Sequence, residues 1–144
     1  MTRVDAAGRR RAREAALQML YQAEVGRAGA HESIATFWPS IDPDGEVDED
    51  LRTFANSLVT DTLQRVEAID PLVAAHARNW RLERMAVIDR LILRLAATEL
   101  QTHPETPAKV IINEAIELAR TFSGEDAVPF INGVLDAMSK ELRP

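Results

Sequence analysis

The chain has no cysteine. Disulfides, thiolate nucleophiles and cysteine–metal centres are excluded, and the fold must hold without staples, which suits a reducing cytoplasm. Aromatic residues are scarce, at 5% against a hydrophobic fraction of 46%. Alanine and leucine must therefore build the core, which favours close helix–helix packing. Arginines and aspartates interrupt every hydrophobic segment, and none approaches the ~18 residues of a membrane span. The N-terminus carries charge but no apolar signal core, so it is expected to be unprocessed. No segment shows the alternation or β-branched clustering of a strand.

Chemical motifs are equally sparse. The three histidines, His31, His76 and His103, are far apart and each lacks a ligand at i+4. Metal ligation needs converging donors, so no metal site is expected. The six glycines form neither a phosphate loop nor a dinucleotide fingerprint, and no serine sits in a Gly-x-Ser-x-Gly elbow. The pair Glu125-Asp126 sits at a helix start, where the dipole favours the ionised form and a general acid would need the reverse. Neither an enzyme nor a cofactor is expected.

What the chain does have is an asymmetry of charge. Residues 1–13 hold five arginines against one aspartate, a local charge of +4. The whole chain stands at −6, so residues 14–144 hold 12 basic and 22 acidic side chains, a charge of −10. The run Arg9-Arg10-Arg11-Ala12-Arg13-Glu14 leads straight into an apolar helix, Ala15 to Val25. At 3.6 residues per turn, Arg9 and Arg13 fall on the same side as Ala16, Leu17 and Leu20. A cationic face cannot be buried in a core, so this turn is expected either to fray or to offer guanidinium groups to a partner. Arginine forks match phosphates and stack on bases, so the run is a nucleic-acid footprint; an inert, solvated basic N-terminus is the alternative. Overall acidity argues against non-specific coating, so binding should be local to this arm, with few phosphate contacts.

A length of 144 residues fits one compact domain. Behind the arm of residues 1–13, two helical halves are expected, 14–80 and 81–144. Helix one should run from Arg9 to Val25 and end at Gly26. His31 to Trp38 makes a short second helix, stopped by Pro39. Residues 40–50 are a loop rich in acid and turn residues, with Asp48 as the cap of the next helix. Leu51, Phe54, Ala55, Leu58, Val59, Thr62, Val66 and Ile69 mark helix three. Asp70-Pro71 has the form of a cap with proline at the first helical position, so a short helix should start there and end near Asn79.

Met85 to Leu100 is the structural centre, apolar over so wide an arc that it must pack on several sides. Asp89 is its misfit, lying between Ile92, Ala96 and Leu100; such a carboxylate is either paired internally or facing a partner protein. Thr106-Pro107 repeats the cap-plus-proline start. Ile111, Ile112, Ala115, Ile116, Leu118, Ala119 and Phe122 then form a stripe opposite Lys109, Asn113, Glu117 and Arg120. Gly124 stops this helix and Asp126 caps the last one, whose stripe is Phe130, Ile131, Val134, Leu135 and Met138. The expected fold class is all-α, with about seven helices.

These residues resemble the NusB family of bacterial transcription antitermination factors. Three stretches carry the likeness: Arg9 to Glu14 with Ala16-Leu-Gln-Met-Leu-Tyr-Gln22; Ile88-Asp-Arg-Leu-Ile-Leu-Arg-Leu95 with Glu99-Leu100; and Pro107 to Phe122 with Glu125-Asp126 and Phe130-Ile-Asn-Gly-Val-Leu-Asp136. Residues 28–80 match in helical pattern and length alone. The resemblance implies two packed three-helix subunits plus an extra helix. It implies pairing with NusE, a small-subunit ribosomal protein. The pair would bind the boxA element of ribosomal RNA leaders and support readthrough by RNA polymerase in an antitermination complex.

Carried over residue by residue, Arg9, Arg10, Arg11 and Arg13 match the RNA-binding arm, and Tyr21 an aromatic near it. Phe122 and Asp126 match the region beside the RNA path, and Asp89 and Arg90 the helix facing NusE. Phe122 lies mid-stripe, so core packing competes with base stacking there, and Tyr21 at its stripe's edge suits either role. Val128-Pro129 stands where family members often carry a basic residue, a departure that bears on one phosphate contact. Both monomer and homodimer are compatible with the sequence. The competing functions are a protein-only helical adaptor and a relative of the RNA-binding domain of a ribosomal RNA cytosine methyltransferase. The latter would need a further Rossmann-like domain with catalytic cysteines.

Overall fold

The computed structural model describes residues 4–77 and 84–144. Among them are seven α-helices: α1 (Ala6–Gly26), α2 (Ala30–Ile41), α3 (Glu49–Gln64), α4 (Val66–His76), α5 (Val87–Thr102), α6 (Ala108–Phe122) and α7 (Val128–Leu142). A 3-10 turn, Glu125–Ala127, leads into α7, and no strand occurs among the described residues. Contacts divide the chain into two compact units, Met1–Leu63 and Gln64–Pro144. The first holds three helices and the second four.

In the first unit, α1 buries Ala12, Ala15, Ala16, Leu17, Met19, Leu20 and Ala23. Small residues alternate with leucine and methionine on this face, which lets α2 pack closely against it. Helix α2 contributes Phe37 and Trp38, whose rings meet edge to face at 5.0 Å. Trp38 donates its indole N–H to Asn56 Oδ1 at 2.7 Å and so ties α2 to α3. The acidic loop between them closes on Asp42, whose carboxylate accepts the amides of Glu46 and Val47, each at 2.9 Å, and pairs with Arg52. Gly45 sits at φ +67° in that turn, a left-handed conformation that costs glycine little. Asp48 caps α3 as the sequence predicts, its Oδ1 accepting the Asp50 amide at 2.8 Å.

The second unit is organised on α5, which packs against α4, α6 and α7. Its buried side chains run almost without interruption from Leu91 to Leu100, as its wide apolar arc demands. Asp70 on α4 takes the guanidinium fork of Arg94 on α5, at 2.8 Å to Nε and 2.7 Å to Nη2. Arg143, just beyond α7, donates to the carbonyls of Leu100, His103 and Thr106 at 3.0, 2.8 and 2.6 Å. One side chain thereby satisfies acceptors that the end of α5 leaves open.

Several boundaries differ from the pattern. Pro39 lies inside α2, near its end, and the helix continues to Ile41. The carbonyl left without its amide is that of Ala35, an exposed residue that water can serve. The break expected at Asp70-Pro71 falls instead at Arg65, and α4 runs through Pro71. Asp70 is not a cap because its carboxylate is taken by Arg94 across the helix pair. That same pairing places α4 with the C-terminal helices, so the units divide after Leu63 rather than after residue 80. Helix α4 ends at His76; Asn79 lies outside the described residues. Thr106 does not cap α6 either. Pro107 occupies the cap position, and Thr106 is buried with its carbonyl on Arg143.

Candidate nucleic-acid interface

The arginine run is fully helical. Asp5 caps α1 by accepting the Gly8 amide on Oδ1 at 2.7 Å, so the helix begins three residues before Arg9. Gly8 makes this start possible, because a Cβ there would lie 2.5 Å from Val4 Cγ1 and 3.1 Å from that capping oxygen. The turn that would otherwise fray is therefore anchored, and the arginines take fixed directions around α1.

Those directions separate the run. Arg10 and Arg11 are exposed, Arg9 is half-buried, and Arg13 is only 4% exposed, with its guanidinium over the Phe54 ring. A cation at this position can be buried after all, and the negative face of the Phe54 ring is one of the groups that receive it. This corrects the expectation that the whole cationic face stays outside and withdraws Arg13 from the surface. Tyr21 is 43% exposed. Eleven residues separate it from Arg10, close to three whole turns, so the two share a face of α1 about 16 Å apart along the axis.

The other sequence-predicted residues belong to the second unit and form two clusters of their own. Phe122 ends α6 half-buried, between the core expected of its stripe and the exposure that stacking would use. Arg120 donates to Glu117 at 2.6 Å and to both oxygens of Glu125 at 3.1 Å. Its proton is held more tightly than usual, chiefly by the bonds to Glu125 and then to Glu117. Asp126 stands beside this network, exposed and with no ion pair among the described residues. It does not cap α7. Ala127 enters the helix already at φ −77° and ψ −21°, leaving no extended residue from which a side chain could reach back. Its Oδ1 lies instead 2.9 Å from where a Cβ on Gly124 would be, and Gly124 has φ +149°.

Asp89 and Arg90 open α5, both half-buried. Asp89 Oδ1 is buried and accepts no hydrogen bond among the described residues. A carboxylate in the first turn of a helix is favoured by the dipole, but an orphan buried oxygen still lacks a donor. Asp48 and Asp50 were legible as helix-start acids, yet they also line one cavity with Arg11. A shared cavity between residues 37 positions apart has no local sequence signal.

Among the described residues no three metal-ligating side chains converge, and no helix is long and apolar enough to cross a membrane. The arrangement is that of an all-helical protein carrying a fixed strip of exposed arginine on an otherwise acidic chain. A family model described as the NusB family matches residues 10–140, and the chain belongs to that family. It is 46% identical over 134 residues to the transcription antitermination protein NusB of Koribacter versatilis, covering 93% of this chain and 90% of that one. Its fold is similar to a solved T. maritima NusB, with a TM-score of 0.83, 32% identity and coverage of 94% and 93%. A chain in a complex of the antitermination factors NusB and NusE with double-stranded RNA shares the fold at a TM-score of 0.82, 24% identity and coverage of 95% and 99%.

Proposed function

We propose that this chain is a transcription antitermination factor that binds boxA-type RNA of ribosomal RNA leaders together with NusE and supports readthrough by RNA polymerase. The observation that carries the reading is the exposed pair Arg10 and Arg11 on an anchored helix, with the rest of the chain negative. Guanidinium groups held at fixed angles around one helix can engage phosphates of a single strand, while Tyr21 on the Arg10 face offers a stacking surface. Arg9, Arg10, Arg11 and Tyr21 are the RNA residues of the first unit in this reading, with Phe122 and Asp126 those of the second. Asp89 and Arg90 face NusE. The orphan Oδ1 of Asp89 supports that assignment, since a donor on a partner would complete it. The site of action is the cytoplasm, where ribosomal RNA is made, and residues 1–144 act as one domain.

The test is a titration of the protein against boxA-type RNA, with and without NusE, at several salt concentrations. Binding that strengthens with NusE and weakens linearly in log salt is expected. Salt-independent binding, or none with NusE present, rules the reading out.

A further inference from the structure

Two cavities of the first unit meet at Arg11. One, of about 170 Å³, is lined by Arg11 with Glu14, Gln18, Trp38 and Ile41. The other, of about 300 Å³, is lined by Arg11 together with Asp5, Asp48 and Asp50. Residues 42–50 hold six carboxylates and no base. Asp42 is consumed within the loop by two amides and Arg52. Asp48 and Asp50 make no ion pair with Arg11 among the described residues. They line the same cavity as its side chain.

We propose that Asp48 and Asp50 set the affinity of the arm for RNA by opposing phosphate at Arg11; the inference rests on the RNA-binding reading above. A phosphate that engages Arg11 must enter the field of the carboxylates lining the same cavity. At roughly 8 Å in water, each charge pair is worth about a factor of two in binding at low ionic strength. Removing two carboxylates should therefore tighten binding on the order of fourfold. Screening reduces this toward one at about 1 M salt, where the Debye length is about 3 Å. Phosphate contacts carry no sequence information, so matched and scrambled RNA must respond by the same factor. The loop thus holds down arm-only complexes and leaves tight binding to RNA that is also held elsewhere.

The experiment titrates D48N/D50N against boxA-type RNA and a scrambled RNA of equal length, at low and high salt. Asparagine at 48 keeps the oxygen that accepts the Asp50 amide, and a melting curve verifies that the variant folds. D44N/E46Q changes the net charge equally at residues that do not line the cavity. The expected result is equal tightening on both RNAs, about fourfold at low salt and lost at 1 M. It should fall to under half with D44N/E46Q and vanish when R11A is added. Equal tightening by both pairs, persistence in R11A, a factor confined to one RNA, or no tightening overturns the inference. If wild type keeps its salt-dependent binding in that case, the RNA reading stands and the loop's role alone falls. If R10A/R11A binds RNA as wild type does, both fall together.

Discussion

The guanidinium carbon of Arg13 lies 6.0 Å from the centroid of the Phe54 ring, so the fourth arginine of the run faces inward while Arg10 and Arg11 face out. The run is thus one motif with two physical jobs. Arg13→Ala should lose the ring contact and the packing of its aliphatic stem, costing about 1–3 kcal/mol in a urea melt. It should leave the slope of log K against log salt unchanged. Arg10→Ala with Arg11→Ala should do the reverse. Stability stays within about 0.5 kcal/mol, and the slope flattens by roughly one contact for each arginine engaged. Matching stability losses in both variants would refute the division.

Helical periodicity makes most of this architecture legible in the sequence. Most of the stripes of α5, α6 and α7 is buried where the spacing places it, because one face of each meets neighbouring helices, while Ile116, Phe122 and Phe130 are half-buried. The errors share another origin. Asp70-Pro71, Thr106-Pro107 and Asp126 all have the local form of a helix start. Each is overruled by something distant or by the incoming backbone: Arg94, the extended Pro107 that takes the cap position, and the 3-10 turn respectively. The burial of Arg13 lacks a local signal for the same reason, since Phe54 is 41 residues away. Of the candidate site, the arginine run and the acidic misfit at Asp89 could be seen in sequence. The cavity that Arg11 shares with Asp48 and Asp50 could not.

Asp42 makes the acidic loop sensitive to low pH. Its carboxyl is held below the ordinary value of 3.8, first by the Val47 amide, against an opposing cost of burial, with help from the Glu46 amide and Arg52. A depressed folded-state pKa stabilises above the unfolded value and loses that contribution as pH falls through the folded one. Wild type should therefore melt above Asp42→Asn at neutral pH, and the gap should close as pH drops below 3.8. A gap that stays constant down to the acid transition would show that the charge of Asp42 contributes nothing.

Asp126 is predicted to act on RNA and not on the fold. It caps no helix, and its neighbour Glu125 is already neutralised by Arg120. Asp126→Asn should leave the melting curve unchanged within about 0.5 kcal/mol. Removing one exposed charge near the RNA path should raise affinity about threefold at low salt, and less at high salt. Weaker binding in the variant would mean that the carboxylate accepts a hydrogen bond from the RNA.

Asp89 separates a partner contact from a private one. Its Oδ1 is buried in the first turn of α5 without a donor, while Ile92, Ala96 and Leu100 beside it are core. If an internal ion pair held the carboxylate, Asp89→Asn would cost on the order of 3–5 kcal/mol in the isolated protein. With no such pair among the described residues, two smaller effects compete. Loss of the favourable helix-dipole interaction costs about 0.3–1 kcal/mol. Relief of a buried, uncompensated charge offsets it. The variant alone should therefore unfold within about 1 kcal/mol of wild type. Complex formation with NusE should weaken, because a donor aimed at Oδ1 loses a charge-assisted bond of about 1.5–3 kcal/mol, or roughly ten- to a hundredfold in Kd. Calorimetric titration with NusE and a denaturant melt of the free variant measure the two halves separately. An unchanged Kd would take Asp89 out of the interface, and a large stability loss would place its partner within the chain.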